Sequence, residues 1–133
     1  MLRVYFVIVA LVFSPLLLAK EVEITKVELE PTGSTWTVHV TLRHDDQGFE
    51  HYANGWRLVD AKKNVIAAQE LYHPHDKKKS FTDSKANIKI PSQTKLVFLE
   101  AQAKPHGWSK QRVRIDLTKP KGDRYQIRSS KAR

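Results

Sequence analysis

The 133 residues carry 23 Lys and Arg against 14 Asp and Glu, a net charge of +9 with histidine neutral, and no cysteine. Without thiols, a disulfide-stapled scaffold, a thiolate metal site and a cysteine nucleophile are all excluded, so a folded domain must rest on a packed core. One such core fits this length and two do not.

Met1-Leu2-Arg3 opens with one positive charge, and Val4 to Phe13 is an unbroken apolar run. Ser14-Pro15 interrupts it, and Leu16 to Ala19 closes it before the charged Lys20-Glu21-Val22-Glu23. That pattern predicts a secretory signal peptide over residues 1–19, cut after Ala19. The run is short for a membrane span, which needs about 20 apolar residues. The expected product is exported, periplasmic and not membrane-spanning. Leu17, larger than the usual small residue three positions before the cut, keeps an uncleaved anchor as the alternative.

From Lys20 on, the chain is written in period two. Val22 and Ile24 are out of phase with Val27 and Leu29, a slip that marks a bulge or a strand passing between sheets. Trp36, Val38, Val40, Leu42 and His44 alternate with polar residues in a second strand. Trp56 and Leu58 begin a third, and Val65 to His73 makes a fourth. Ala86, Ile88 and Ile90 give a fifth, Val97 to Ala103 a sixth, and Val113, Ile115 and Leu117 a seventh. Pro31-Thr32-Gly33-Ser34, Ala61-Lys62-Lys63-Asn64, Pro91-Ser92-Gln93-Thr94 and Lys104-Pro105-His106-Gly107 punctuate them as turns. Seven short strands in one cysteine-free core predict an all-β, immunoglobulin- or fibronectin-like sandwich over residues 20–117, with Trp56 as its buried tryptophan. Residues 118–133 hold six basic residues against Asp123 alone and read as a basic flexible tail. Because the charge is concentrated there, and the chain is exported, no nucleic-acid partner is expected. An anionic surface met through the tail, or an envelope partner of unknown identity, fits better.

If neighbouring strands alternate in direction, residues 44–52, 73–84 and 104–110 gather at one end. Five of the six histidines, His44, His51, His73, His75 and His106, lie in or beside these segments. In His73-Pro74-His75 the proline extends the chain, and residues two apart then share a face. Metal–imidazole bonds are about 2 Å, so a preset pair would help a site to converge. His44, with His51 or His106, would complete it, and imidazoles without thiolates suit zinc or copper(II). The competing reading is structural: His44 bonded to Asp45, Asp46 or a loop carbonyl, His73 and His75 stiffening a proline turn, and Trp108 covering the core beside Gly107. Recognition of an organic ligand is a third. A non-catalytic structural or protein-interaction sandwich of the envelope is the alternative to a metal-binding module. No enzyme is expected: a glycine-rich phosphate cradle and a serine elbow are both missing from the sequence. Ser80, Ser84, His75 and Asp83 form a triad on paper only.

Read in order, Arg43-His44-x-Asp46-x-Gly48-Phe49-x-His51-Tyr52-Ala53-x-x-Trp56, Leu71-x-His73-Pro74-His75, Phe81-Thr82-x-Ser84, Ile90-Pro91 and His106-Gly107-Trp108 resemble a family of small exported bacterial sandwich-like proteins without an assigned activity. The resemblance spans residues 22–117 and implies that the histidine end belongs to the family pattern. Phe49, where a tryptophan is expected, and the lysines of Asp76-Lys77-Lys78-Lys79 depart from it. Those lysines would repel a nearby cation.

Overall fold

The computed structural model describes residues 3–5 and 21–129. The expected cut after Ala19 and the apolar run of the expected leader from residue 6 lie outside the described residues. The protein is all-β. Its strands are β1 (Glu23–Thr32), β2 (Thr35–Arg43), β3 (Ala53–Asp60), β4 (Val65–Glu70), β5 (Ser80–Ile88), β6 (Leu96–Ala103), β7 (Gly107–Asp116), β8 (Lys121–Gly122) and β9 (Tyr125–Ile127). Two sheets form the sandwich, one ordered β5-β2-β1-β9-β8 and the other β4-β3-β6-β7. The fourth strand pairs with β3 and not with β5, which is the fibronectin-like arrangement and not that of a constant immunoglobulin domain.

Period-two alternation is the reason the core closes. On β6, Val97, Leu99, Ala101 and Ala103 are buried, facing Val38, Val40 and Leu42 of β2 in one cluster. The outward Phe98 lies under the Arg112 guanidinium, 3.8 Å from its ring centre. Trp56 is 1% exposed, and its indole N–H donates to Asp83 Oδ2 at 2.8 Å, satisfying the one polar atom that burying a tryptophan strands. The phase slip on β1 is a register shift between Ile24 and Lys26, and it lets Ile24 and Val27 both point inward. Backbone groups freed at the slip are taken by one side chain from the other sheet. Ile24 N donates to Gln111 Oε1 at 2.8 Å, and Gln111 Nε2 donates to Ile24 O at 2.9 Å. Each bond contributes about 1 kcal/mol net.

Three expected boundaries are corrected. The fifth strand starts at Ser80 and not at Ala86, with Phe81 buried in the core. The seventh starts at Gly107, six residues before Val113, so the connection before it is short. The third is where strand structure ends, which is at Ile127 and not at Leu117. β8 and β9 form a hairpin, and β9 runs parallel to β1, pairing Val27 with Tyr125 and Leu29 with Ile127. Tyr125 is 6% exposed, joins the core and donates its hydroxyl to Asp116 O. A side chain at position 122 would place its Cβ 2.3 Å from the Tyr125 ring, so Gly122 is what lets the hairpin fold over it.

Two of the tail's six basic residues are answered within the fold. Arg124 bonds Glu23, and Arg128 bonds Glu28 and reaches Glu30, all acids of β1. The ammonium of Lys26, hydrogen-bonded to Glu28, and then Arg128 hold that carboxyl below its usual value of 4.5. A carboxyl whose pKa is lower folded than unfolded stabilises above the unfolded value, and that contribution disappears as pH falls through the folded one. Amide exchange at β9 should therefore quicken below about pH 4, and Glu28→Gln should remove part of that dependence. An exchange rate at β9 that is flat from pH 6 to pH 3, after correction for intrinsic exchange, would rule the coupling out.

Candidate functional site

Antiparallel pairing brings residues 44–52, 71–79 and 104–106 to one end of the sandwich, as strand alternation requires. The hub of this end is a carboxylate. Asp46 is 5% exposed, the only polar residue among the buried ones described. It continues the inward phase of β2 through Leu42 and His44. Its Oδ1 accepts from His44 Nδ1 at 2.5 Å and from Ala53 N at 3.0 Å, and its Oδ2 accepts from His75 N at 2.7 Å. One carboxylate thus fastens the end of β2, the start of β3 and the loop before β5. His44 N also donates to Lys79 O, and Gly48 N to Asp76 Oδ1, tying the same two loops a second and third time.

Of the five histidines, Asp46 gathers two. The His75 ring stacks on Phe81, with centroids 3.6 Å apart and planes 5° from parallel. Its Nδ1 is buried without a hydrogen-bond partner, 3.8 Å from Asp46 Oδ2. His51, His73 and His106 are exposed. The expected pair therefore splits, because the chain bends at His73, just before Pro74, leaving His73 exposed and His75 half-buried. Among the described residues, no three His, Asp or Glu side chains are grouped to hold a metal ion.

The remaining features of this end are packing and exposed surface. Lys104 N donates to Tyr52 O, and the Lys104 ammonium lies 5.5 Å from the Tyr52 ring centre. Trp108 does not cover the core: it lies on the outer face of the second sheet, under Arg57 at 3.8 Å. Phe49 and Tyr72 stand two-thirds exposed on neighbouring loops. The paper triad is not assembled. Asp83 is committed to Trp56 and Ser84 to His39, with Ser84 Oγ 2.6 Å from His39 Nδ1, while the His75 ring is stacked on Phe81. His39 Nε2 in turn lies 3.5 Å from Glu30. This Ser–His–Glu row crosses an open sheet face, where β2 spends its backbone N–H groups on two neighbouring strands. That leaves β2 without amides to stabilise an oxyanion.

The sequence offers Asp46 only as one of three possible partners of His44, and its role as acceptor of three donors is what the sequence alone does not reveal. The available signal was its place two residues beyond His44 on the buried phase.

The chain matches no family model and no solved structure. It is 30% identical over 98 residues to a protein of Halomicrobium mukohataei named "Putative lipoprotein", a match covering 73% of this chain and 48% of that protein. The chain thus spans about half the length of the relative it matches.

Proposed function

We propose that this chain is a non-catalytic interaction sandwich of the cell envelope, presenting its loop end as a fixed surface. The observation that carries the reading is Asp46, whose buried carboxylate is occupied by loop-fastening bonds. The same clasp takes the His44 imidazole and the His75 backbone amide. The envelope assignment is supported by the similarity to a protein named as a lipoprotein and by the leader-like start of the sequence. The 133 residues contain no cysteine, so no thiol within them carries a lipid, and attachment would use another means. A zinc or copper(II) site on His44, His51, His73, His75 and His106 is the alternative reading. His44 can ligate through Nε2 while its Nδ1 stays on Asp46, but His51, His73 and His106 lie exposed, and among the described residues no third ligand is grouped with His44 and His75.

Two measurements test the proposal. Fractionation with intact-mass analysis should find the protein outside the cytoplasm, beginning at Lys20; retention in the cytoplasm would sink the envelope assignment. Calorimetry on chelator-stripped protein should show no saturable uptake of either metal at micromolar concentration, and chelation should leave the melting temperature unchanged. Saturable binding lost in His75→Ala but kept in His39→Ala would restore the metal site.

A further inference from the structure

The opposite end of the sandwich differs from the histidine end in both shape and charge. There the two sheets part between the start of β2 and the end of β7, and the connection from β5 to β6 crosses the opening. Trp36, Ile90 and Leu117 are half-buried against the core and line a groove of about 320 Å³ together with Pro91, Thr94 and Lys95. Thr94 N donates to Pro91 O, and Leu117 N to Lys95 O, so the walls are hydrogen-bonded to one another. A water's share of liquid volume is about 30 Å³, so the groove has room for roughly ten heavy atoms.

Charge at this end is one-sided. Among the described residues, Lys95 is the only ionisable side chain lining the groove. Three of the connections here, residues 61–64, 89–95 and 117–120, carry Lys62, Lys63, Lys89, Lys95 and Lys119 and no acid, and the β1–β2 turn at Gly33-Ser34 carries no charge. Asp60 and Asp116 flank them, but their carboxylates are turned back onto their own loops, Asp60 by Lys62 N and Asn64 and Asp116 by Thr118. Among the described residues none of these five lysines is in an ion pair within 4 Å. The histidine end, in contrast, balances Lys77, Lys78, Lys79 and Lys104 against Asp45, Asp46, Glu50 and Asp76.

We propose that the groove of Trp36, Ile90 and Leu117 beneath Lys95 binds a small anionic amphiphile, a carboxylate on an apolar body. The apolar floor removes the body from water, and the lysine, with the hydroxyls of Ser92 and Thr94 beside it, meets a single negative charge. Burial of the body supplies most of the affinity, and the cation selects among amphiphiles of equal length. The site is independent of the envelope assignment, because it uses none of the residues of the histidine end.

Octanoate matches the groove in size and charge. With ¹⁵N-labelled protein as cells produce it, octanoate below its micelle concentration should move the Trp36 indole N–H resonance saturably, leaving Trp56 and Trp108 in place. Octanol should bind at least tenfold more weakly. Lys95→Glu changes only an exposed side chain and should weaken octanoate at least tenfold while favouring octylamine; Lys104→Glu, at the other end, should change nothing. A stationary Trp36, a shift of Trp108 as large as that of Trp36, equal binding of octanol, or an unaffected Lys95→Glu variant would each overturn the proposal. Failure here would leave the fractionation result untouched.

Discussion

Replacing Asp46 with alanine should cost the domain about 3–5 kcal/mol, a large part of the 5–15 kcal/mol that stabilises most domains. The substitution removes the acceptor of three donors at once: His44 Nδ1, Ala53 N and His75 N. Ala53 is fully buried at the head of β3, so its amide cannot turn to water without opening the strand. Each buried donor left unsatisfied costs about 1–3 kcal/mol. Asp46→Asn should fall between alanine and wild type, because it keeps one acceptor oxygen but faces an N–H with an NH₂. Asp45→Ala, next door and exposed, should stay within about 0.5 kcal/mol. Urea midpoints on the three variants decide it. Equal loss from positions 45 and 46 would mean that the carboxylate is not the fastening of this end.

The same residue shows what the sequence made legible and what it hid. β2 was readable because each inward position is apolar and each neighbour polar, and β6 because Val97, Leu99, Ala101 and Ala103 keep the inward phase even though Leu96 and Phe98 make its outer face apolar at the start. From them followed the alternation of strand direction, and with it the end of the molecule where most histidines lie. The first half of β5 was hidden because its inward positions are Phe81 and then Asp83, an acid there to accept from Trp56. The first half of β7 was hidden for the same reason: Ser109 and Gln111 occupy its inward phase, and Gln111 serves the backbone of Ile24. Polar residues facing inward break the pattern, and their partners lie far away in the chain. The paired aim of His73 and His75 assumed an extended chain, whereas the structure bends at His73.

Ending the chain after Leu117 should lower stability by about 3–5 kcal/mol, the cost of removing a buried aromatic from a packed core. Charge and Pro120-Lys121-Gly122 suggested a dispensable tail, yet Tyr125 is as buried as Tyr52 and sits between Val27 and the end of β7. Truncation would also turn β1 into an edge strand. Val27 N would lose Arg124 O, and Leu29 O would lose Arg128 N, leaving a flat, apolar-backed edge open to pairing with another chain. For a domain near this size, 1 kcal/mol moves the melting temperature by roughly 4–8 °C, so a fall of at least about 12 °C is expected, with concentration-dependent aggregation. Single variants apportion the loss. Tyr125→Ala should account for most of it, Tyr125→Phe for about 1 kcal/mol through the hydroxyl bond to Asp116 O, and Arg128→Ala for less, since its ion pairs are half exposed. A truncated protein that melts within 2–3 °C of the full chain, about half a kcal/mol on that scale, would show that β9 only lies on β1 without contributing to the core.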